Sequence, residues 1–141
     1  MVCIYCGSET RVVNSRKQRR SNNIWRRRVC TKCSAVFTTH EETDLSAVLV
    51  VQSKDRRHNQ KFLRDKLFLS VYESCKHRPS ALIDAAELTD TIINALAKEN
   101  SGAIIPQEKI VHATEKILKR FDATAAVFYH AYHAGSDSPT S

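Results

Sequence analysis

Hydrophobic positions change their spacing twice along the 141 residues of this chain. Over the first forty residues they are sparse. β-Branched Val12, Val13 and Ile24 stand alone in a polar, arginine-rich stretch, a pattern that short strands accommodate better than helices do. A compact apolar run, Ala47-Val-Leu-Val-Val51, then leads into the polar Gln52 to Lys61 stretch. This predicts a strand, a turn around Ser53-Lys54-Asp55 and a second short strand or loop, together a hairpin leading into helices. From Phe62 onward the spacing becomes helical. A first helix is predicted from Arg64 to His77, with Leu67, Val71 and Cys75 on one face, Phe68 and Tyr72 beside it, and Arg78-Pro79 ending it. Ser80 is placed to cap a second helix carrying Leu88, Ile92 and Leu96, which stops at Ser101-Gly102. Pro106 suits the first turn of a third helix, with Ile110, Thr114, Ile117, Leu118 and Phe121 facing inward. Asp122 is placed to cap a fourth, Ala-rich and aromatic helix through Tyr132. The small, polar residues Gly135 to Ser141 predict a disordered tail.

This division suggests two small domains with a boundary near residue 44, and charge sharpens it. Residues 1–44 carry nine Lys/Arg against four Asp/Glu, a net +5, whereas residues 45–141 carry thirteen against eleven, a net +2. A basic excess confined to one end attracts phosphate backbones, so nucleic acid is the first partner expected, ahead of an anionic membrane. No apolar run approaches the ~20 residues needed to span a bilayer, and Met1 to Cys6 lack the basic and apolar regions of a secretory signal. A cytoplasmic protein without a membrane partner is expected. Hydrophobic content of 42% and charged content of 26% are ordinary for a folded globular protein.

In a reducing compartment, paired cysteines are better metal ligands than disulfides. Two C-x2-C pairs, Cys3-Ile-Tyr-Cys6-Gly7 and Cys30-Thr-Lys-Cys33-Ser34, are separated by twenty-three residues, in a region too small to bury a core of its own. Four thiolates surround a zinc ion at about 2.3 Å, and each short knuckle aims two sulfurs and its backbone amides at one metal. One zinc per chain held by Cys3, Cys6, Cys30 and Cys33 is therefore expected; a redox pair or an iron–sulfur cluster is the alternative use of the same thiols. With four protein ligands no position is open for an activated water, so the metal is read as scaffold. Cys75, at a core-like helical position, reads as a small buried hydrophobe.

Between the knuckles lie Arg16-Lys17-Gln18-Arg19-Arg20 and Trp25-Arg26-Arg27-Arg28. Folding the ribbon displays both clusters on one small body. Arginine forks suit phosphates and guanine edges, and Trp25 offers a stacking surface. Arg16, Trp25, Arg26, Arg27 and Arg28 are the candidate nucleic-acid contacts, although this composition does not separate DNA from RNA.

The C-x2-C start, Val12-Val-Asn-Ser-Arg16, Ile24-Trp-Arg-Arg-Arg-Val-Cys30 and Phe37-Thr-Thr-His-Glu41 resemble the bacterial NrdR family, over roughly residues 1–125. The resemblance implies an α+β protein: a zinc ribbon over residues 1–44, then an ATP-cone over 45–134, which is mostly helical with a short hairpin and binds ATP or dATP. It also implies a homo-oligomeric repressor acting on double-stranded DNA upstream of ribonucleotide reductase genes, with nucleotide occupancy altering the oligomeric state. Matching pieces in the second domain are Val50-Val51, the Asp55-to-Arg57 turn, Phe62-Leu-Arg-Asp-Lys-Leu67, Lys76-His-Arg-Pro79, Pro106 and Phe121-Asp122. They imply nucleotide contacts at Val50, Val51, Gln52, Arg57 and Lys66. Several positions depart from the family pattern: Asn14 replaces an Asp, Trp25 the first of four arginines, Val36 an Arg and Gln52 a lysine. The last helix reads Ala125-Ala-Val-Phe-Tyr-His-Ala-Tyr-His133 where the family has Arg-Phe-Ala-Ser-Val-Tyr.

A rival reading is an RNA-binding or ribosome-associated ribbon protein that senses no nucleotide. An enzyme is not expected, since the sequence holds no P-loop, no nucleophile triad that can be placed and no open metal site.

Overall fold

The computed structural model describes residues 1–19, 22–54 and 57–134; the expectations placed on Arg20, on Asp55 and on the tail from Gly135 lie outside the described residues. The chain separates into two compact units, Met1–Asp44 and Leu45–Ser141. The architecture is α+β: an antiparallel ribbon carrying the four cysteines, then a mostly helical unit.

The ribbon is a three-stranded antiparallel sheet in the order β1 (Thr10–Lys17), β2 (Asn23–Cys30), β3 (Val36–Glu42). Its register pairs Arg16 with Trp25 and Trp25 with His40, and a bulge at Val13 adds one residue to β1. Among the described residues of this unit only Cys3 and Cys30 are buried. A sheet with both faces open to water has no apolar core to hold it.

In the second unit the expected apolar strand is split. Leu45–Val48 forms a single helical turn, α1, and the strand β4 is confined to Val50–Gln52. β4 pairs antiparallel with β5 (Asn59–Lys61), which completes the expected hairpin. It also pairs in parallel with β6 (Ile104–Pro106), a strand that periodicity over three residues does not reveal. Four helices follow the expected order: α2 (Arg64–Cys75), α3 (Ala81–Glu99), α4 (Gln107–Phe121) and α5 (Ala123–Ala134). Their shared core is built from Leu67, Val71 and Cys75 of α2, Leu88, Ile92 and Leu96 of α3, Leu118 of α4 and Tyr129 of α5.

Three local expectations are corrected. Ser80 makes no cap; its hydroxyl donates to the Asp84 carboxylate at 2.7 Å, where Arg78 also binds. Pro106 ends β6 and stands at the N-cap of α4 instead of within its first turn. Phe121 is 41% exposed and packs 4.7 Å beneath the Arg78 guanidinium instead of facing inward. Asp122 does cap α5, accepting from the amides of Thr124 and Ala125 at 2.8 and 3.1 Å. The Ala125 amide, then Arg78 and His77, hold its carboxyl well below the usual range.

Candidate functional site

The two knuckles are built alike. The Cys3 amide donates to Ser8 and the Cys30 amide to Ala35, at 2.8 and 2.9 Å. In each, the residue after the second cysteine, Gly7 or Ser34, is left-handed, with φ of 71° and 58°. That turn folds the chain back so that both sulfurs face one point. A left-handed conformation is free for glycine and costs serine about 1 kcal/mol or more. The four sulfurs lie within 4.8 Å of one another, with Cys3 to Cys33 at 3.7 Å and Cys6 to Cys30 at 3.5 Å. A zinc tetrahedron with bonds of about 2.3 Å has edges of about 3.8 Å, so the cluster fits that ion with little adjustment.

Charge makes the same point. The Ser8 amide and hydroxyl, followed by the Cys30 sulfur, push the Cys6 thiol down to about 6. At Cys33 the Ala35 amide acts to lower the thiol, but contact with the sulfurs of Cys30 and Cys6 and partial desolvation outweigh it and push it up to about 12. One thiolate forms easily and the last is opposed by its neighbours. A divalent cation at the centre removes that opposition. The amides of Lys32 and Cys33 donate to the Cys30 sulfur, both at 3.4 Å, further stabilising thiolate there.

Strand alternation divides the arginines. Arg16, Trp25 and His40 form one cross-strand row, and Asn14, Arg27 and Thr38 form the next row of the same face. The Arg16 guanidinium sits 5.9 Å from the Trp25 ring centre, and Arg27 is exposed. Arg26 and Arg28 point to the opposite face. There Arg26 pairs with Glu41 at 2.6 Å, and Arg28 reaches the hydroxyls of Thr39 and Thr10 at 3.2 and 3.5 Å. Of the five residues expected to touch nucleic acid, the fold gathers Arg16, Trp25 and Arg27; Arg26 and Arg28 tie the strands together on the other side.

The helical unit contains a cleft of about 300 Å³, within the size range of small-molecule sites. Val51, Phe62, Leu67, Ile110 and Val111 form its apolar walls. Exposed His58, Lys61 and Lys66 stand at its mouth, and Lys66 donates to the Gln60 side chain at 3.1 Å. Of the five residues expected at a nucleotide, Val51 and Lys66 line this cleft. Val50 and Gln52 flank Val51 on β4, so their side chains project to the opposite face of the sheet, and Arg57 is exposed in the hairpin loop. Sequence reasoning missed the contribution of α5, where Tyr129 and His133, one helical turn apart, both line the cleft. The signal was present as an i,i+4 pair in an aromatic-rich helix.

The first 41 residues match the family model "Transcriptional repressor NrdR-like, N-terminal domain". Similarity to curated proteins extends much further. The transcriptional repressor NrdR of Lachnoclostridium phytofermentans is 35% identical, covering 99% of this chain and 91% of that protein. Those of Pelotomaculum thermopropionicum and Fervidobacterium nodosum are 32% and 34% identical, over 92% and 90% of this chain and 75% and 82% of their own lengths. The matched region thus includes both the four-cysteine ribbon and the unit that carries the cleft.

Proposed function

The chain belongs to the NrdR family of transcriptional repressors, and from that premise we propose that it represses ribonucleotide reductase genes by binding their upstream DNA under the control of ATP or dATP. The carrying observation is the open ribbon face on which Arg16, Trp25 and Arg27 stand together while Arg26 and Arg28 are occupied elsewhere. A guanidinium with no acidic partner among the described residues is ready for a phosphate or a guanine edge, and neutralised phosphates release counterions. Zinc, when bound, supplies a tetrahedral cross-link between the knuckles; the side chains of the sheet make the contacts.

In the helical unit Lys66 and Lys61 at the mouth of a cleft with apolar walls suit an anionic nucleotide whose heterocycle enters and whose phosphates stay near the cations. Occupancy changes how copies of the chain associate, and an assembly whose ribbons match the spacing of operator boxes gains affinity through effective concentration. Each nucleotide biases the assemblies only by its difference in affinity for them, tenfold per ~1.4 kcal/mol. The test is fluorescence anisotropy of zinc-loaded protein on upstream duplexes from the host's ribonucleotide reductase genes, with scrambled duplex, ATP and dATP compared. Sequence-preferring binding that differs between the nucleotides is expected. Binding that is indifferent to sequence and nucleotide refutes the proposal.

A further inference from the structure

The cleft has two chemically different ends. At the mouth stand the exposed basic side chains Lys61, Lys66 and His58. Where α2 meets α5 the lining side chains are less exposed, polar and uncharged: Ser70, Tyr129 and His133. The Ser70 hydroxyl of α2 lies 3.0 Å from the Nε2 of His133 on α5, and the buried Tyr129 lines the same stretch of the cleft. The rings of Tyr129 and His133 pack with centres 4.2 Å apart. Burial pushes the Tyr129 phenol up and the His133 imidazole down, so both stay neutral near pH 7. A neutral hydrogen-bonding floor repels no charge and attracts none. It suits a heterocycle and not a phosphate, whose desolvation there would go uncompensated.

A serine hydroxyl has one donor and two acceptor positions. Among the described residues one of the three is taken, by His133. We propose that Ser70, held in orientation by His133, uses its remaining positions to read the hydrogen-bonding edge of a purine base, making this pair the base-selecting element of the cleft. The proposal rests on the nucleotide reading above and adds the direction in which the nucleotide lies, base inward and phosphates at the mouth. Ser70 is the contacting residue and His133 the positioning one. Sites that satisfy a ligand's polar edge reject analogues whose edge mismatches, because a buried donor or acceptor is left unpaired.

The experiment is isothermal calorimetry of ATP and GTP on the full-length zinc-loaded protein and on Ser70→Ala, His133→Gln, His133→Ala and Lys66→Ala, each first checked for an unchanged circular dichroism spectrum. The wild type is expected to prefer ATP by tenfold or more. Ser70→Ala and His133→Ala should reduce that ratio toward one while still binding triphosphate, and His133→Gln, which can still bond Ser70, should recover part of it. Lys66→Ala should weaken both nucleotides equally and keep the ratio. A ratio unchanged in folded Ser70→Ala overturns the base-reading assignment alone. No binding of either triphosphate by the wild type overturns the nucleotide reading on which it rests.

Discussion

The two units solve the same problem by different means. In the helical unit, side chains from four helices bury one another, with Val71, Ile92 and Leu118 fully enclosed. In the ribbon, among the described residues, only Cys3 and Cys30 are buried. A ribbon held by a metal needs neither face of its sheet for packing, so one face is left to the cross-strand ties of Arg26 and Arg28 and the other to Arg16, Trp25 and Arg27. The unit held by an apolar core uses the inner faces of its helices for packing. Its candidate ligand site lies in a cleft whose walls, including Leu67, are themselves core residues. Filling that cleft would therefore act on packed side chains, whereas contact at the ribbon face would not.

Chelation of zinc, or Cys33→Ser, breaks this contrast most severely. In zinc-finger peptides the metal contributes roughly 10–16 kcal/mol near neutral pH, so the ribbon should lose its structure and its zinc while the thermal transition of the helical unit persists. Metal analysis together with circular dichroism measures both. Ile92→Ala attacks the other side: a fully buried side chain truncated to a methyl should cost about 2–5 kcal/mol in urea unfolding of the helical unit, with one zinc per chain retained.

Arg27→Ala and Arg28→Ala sharpen the division within the ribbon. The first should weaken duplex binding by about 1–3 kcal/mol if it reads a base, or lower the salt slope by roughly one if it meets a phosphate, with ribbon stability unchanged. The second should lower ribbon stability and leave the salt slope alone. The smallest effect is expected at Ser34→Gly, which relieves the left-handed backbone of the second knuckle and should stabilise the zinc-loaded ribbon by about 1 kcal/mol, read as resistance of zinc to a competing chelator.

The two regions also differ in how far the sequence discloses them. Cys3, Cys6, Cys30 and Cys33 were legible because a two-residue spacing constrains two sulfurs covalently, whatever the intervening chain does. The helices were legible because apolar residues such as Leu88, Ile92 and Leu96 recur at the helical period over successive turns. The separation of Arg27 from Arg26 and Arg28 follows from strand alternation alone and was not read from the cluster; what the sequence does not disclose is the register and the bulge at Val13 that set Asn14 and Arg16 opposite Arg27 and Trp25. β6 escaped because three residues carry no period and their partner, β4, lies some fifty residues earlier. The exposure of Phe121 reflects the competing attraction of Arg78 at a helix end. At the cleft, local sequence pointed to the hairpin, but Ser70, Tyr129 and His133 come together only when α2 and α5 pack, a tertiary event without a local signature.

The central claim, that a nucleotide in one unit governs DNA binding through the other, has a thermodynamic consequence. If a nucleotide alters duplex affinity by some factor, the duplex must alter nucleotide affinity by the same factor. Calorimetric titration of dATP and of ATP into zinc-loaded protein, with and without saturating operator duplex, measures this directly. The account predicts that the nucleotide that tightens duplex binding is itself bound more tightly on DNA, by a matching factor. Nucleotide affinities identical in the presence and absence of duplex would contradict it.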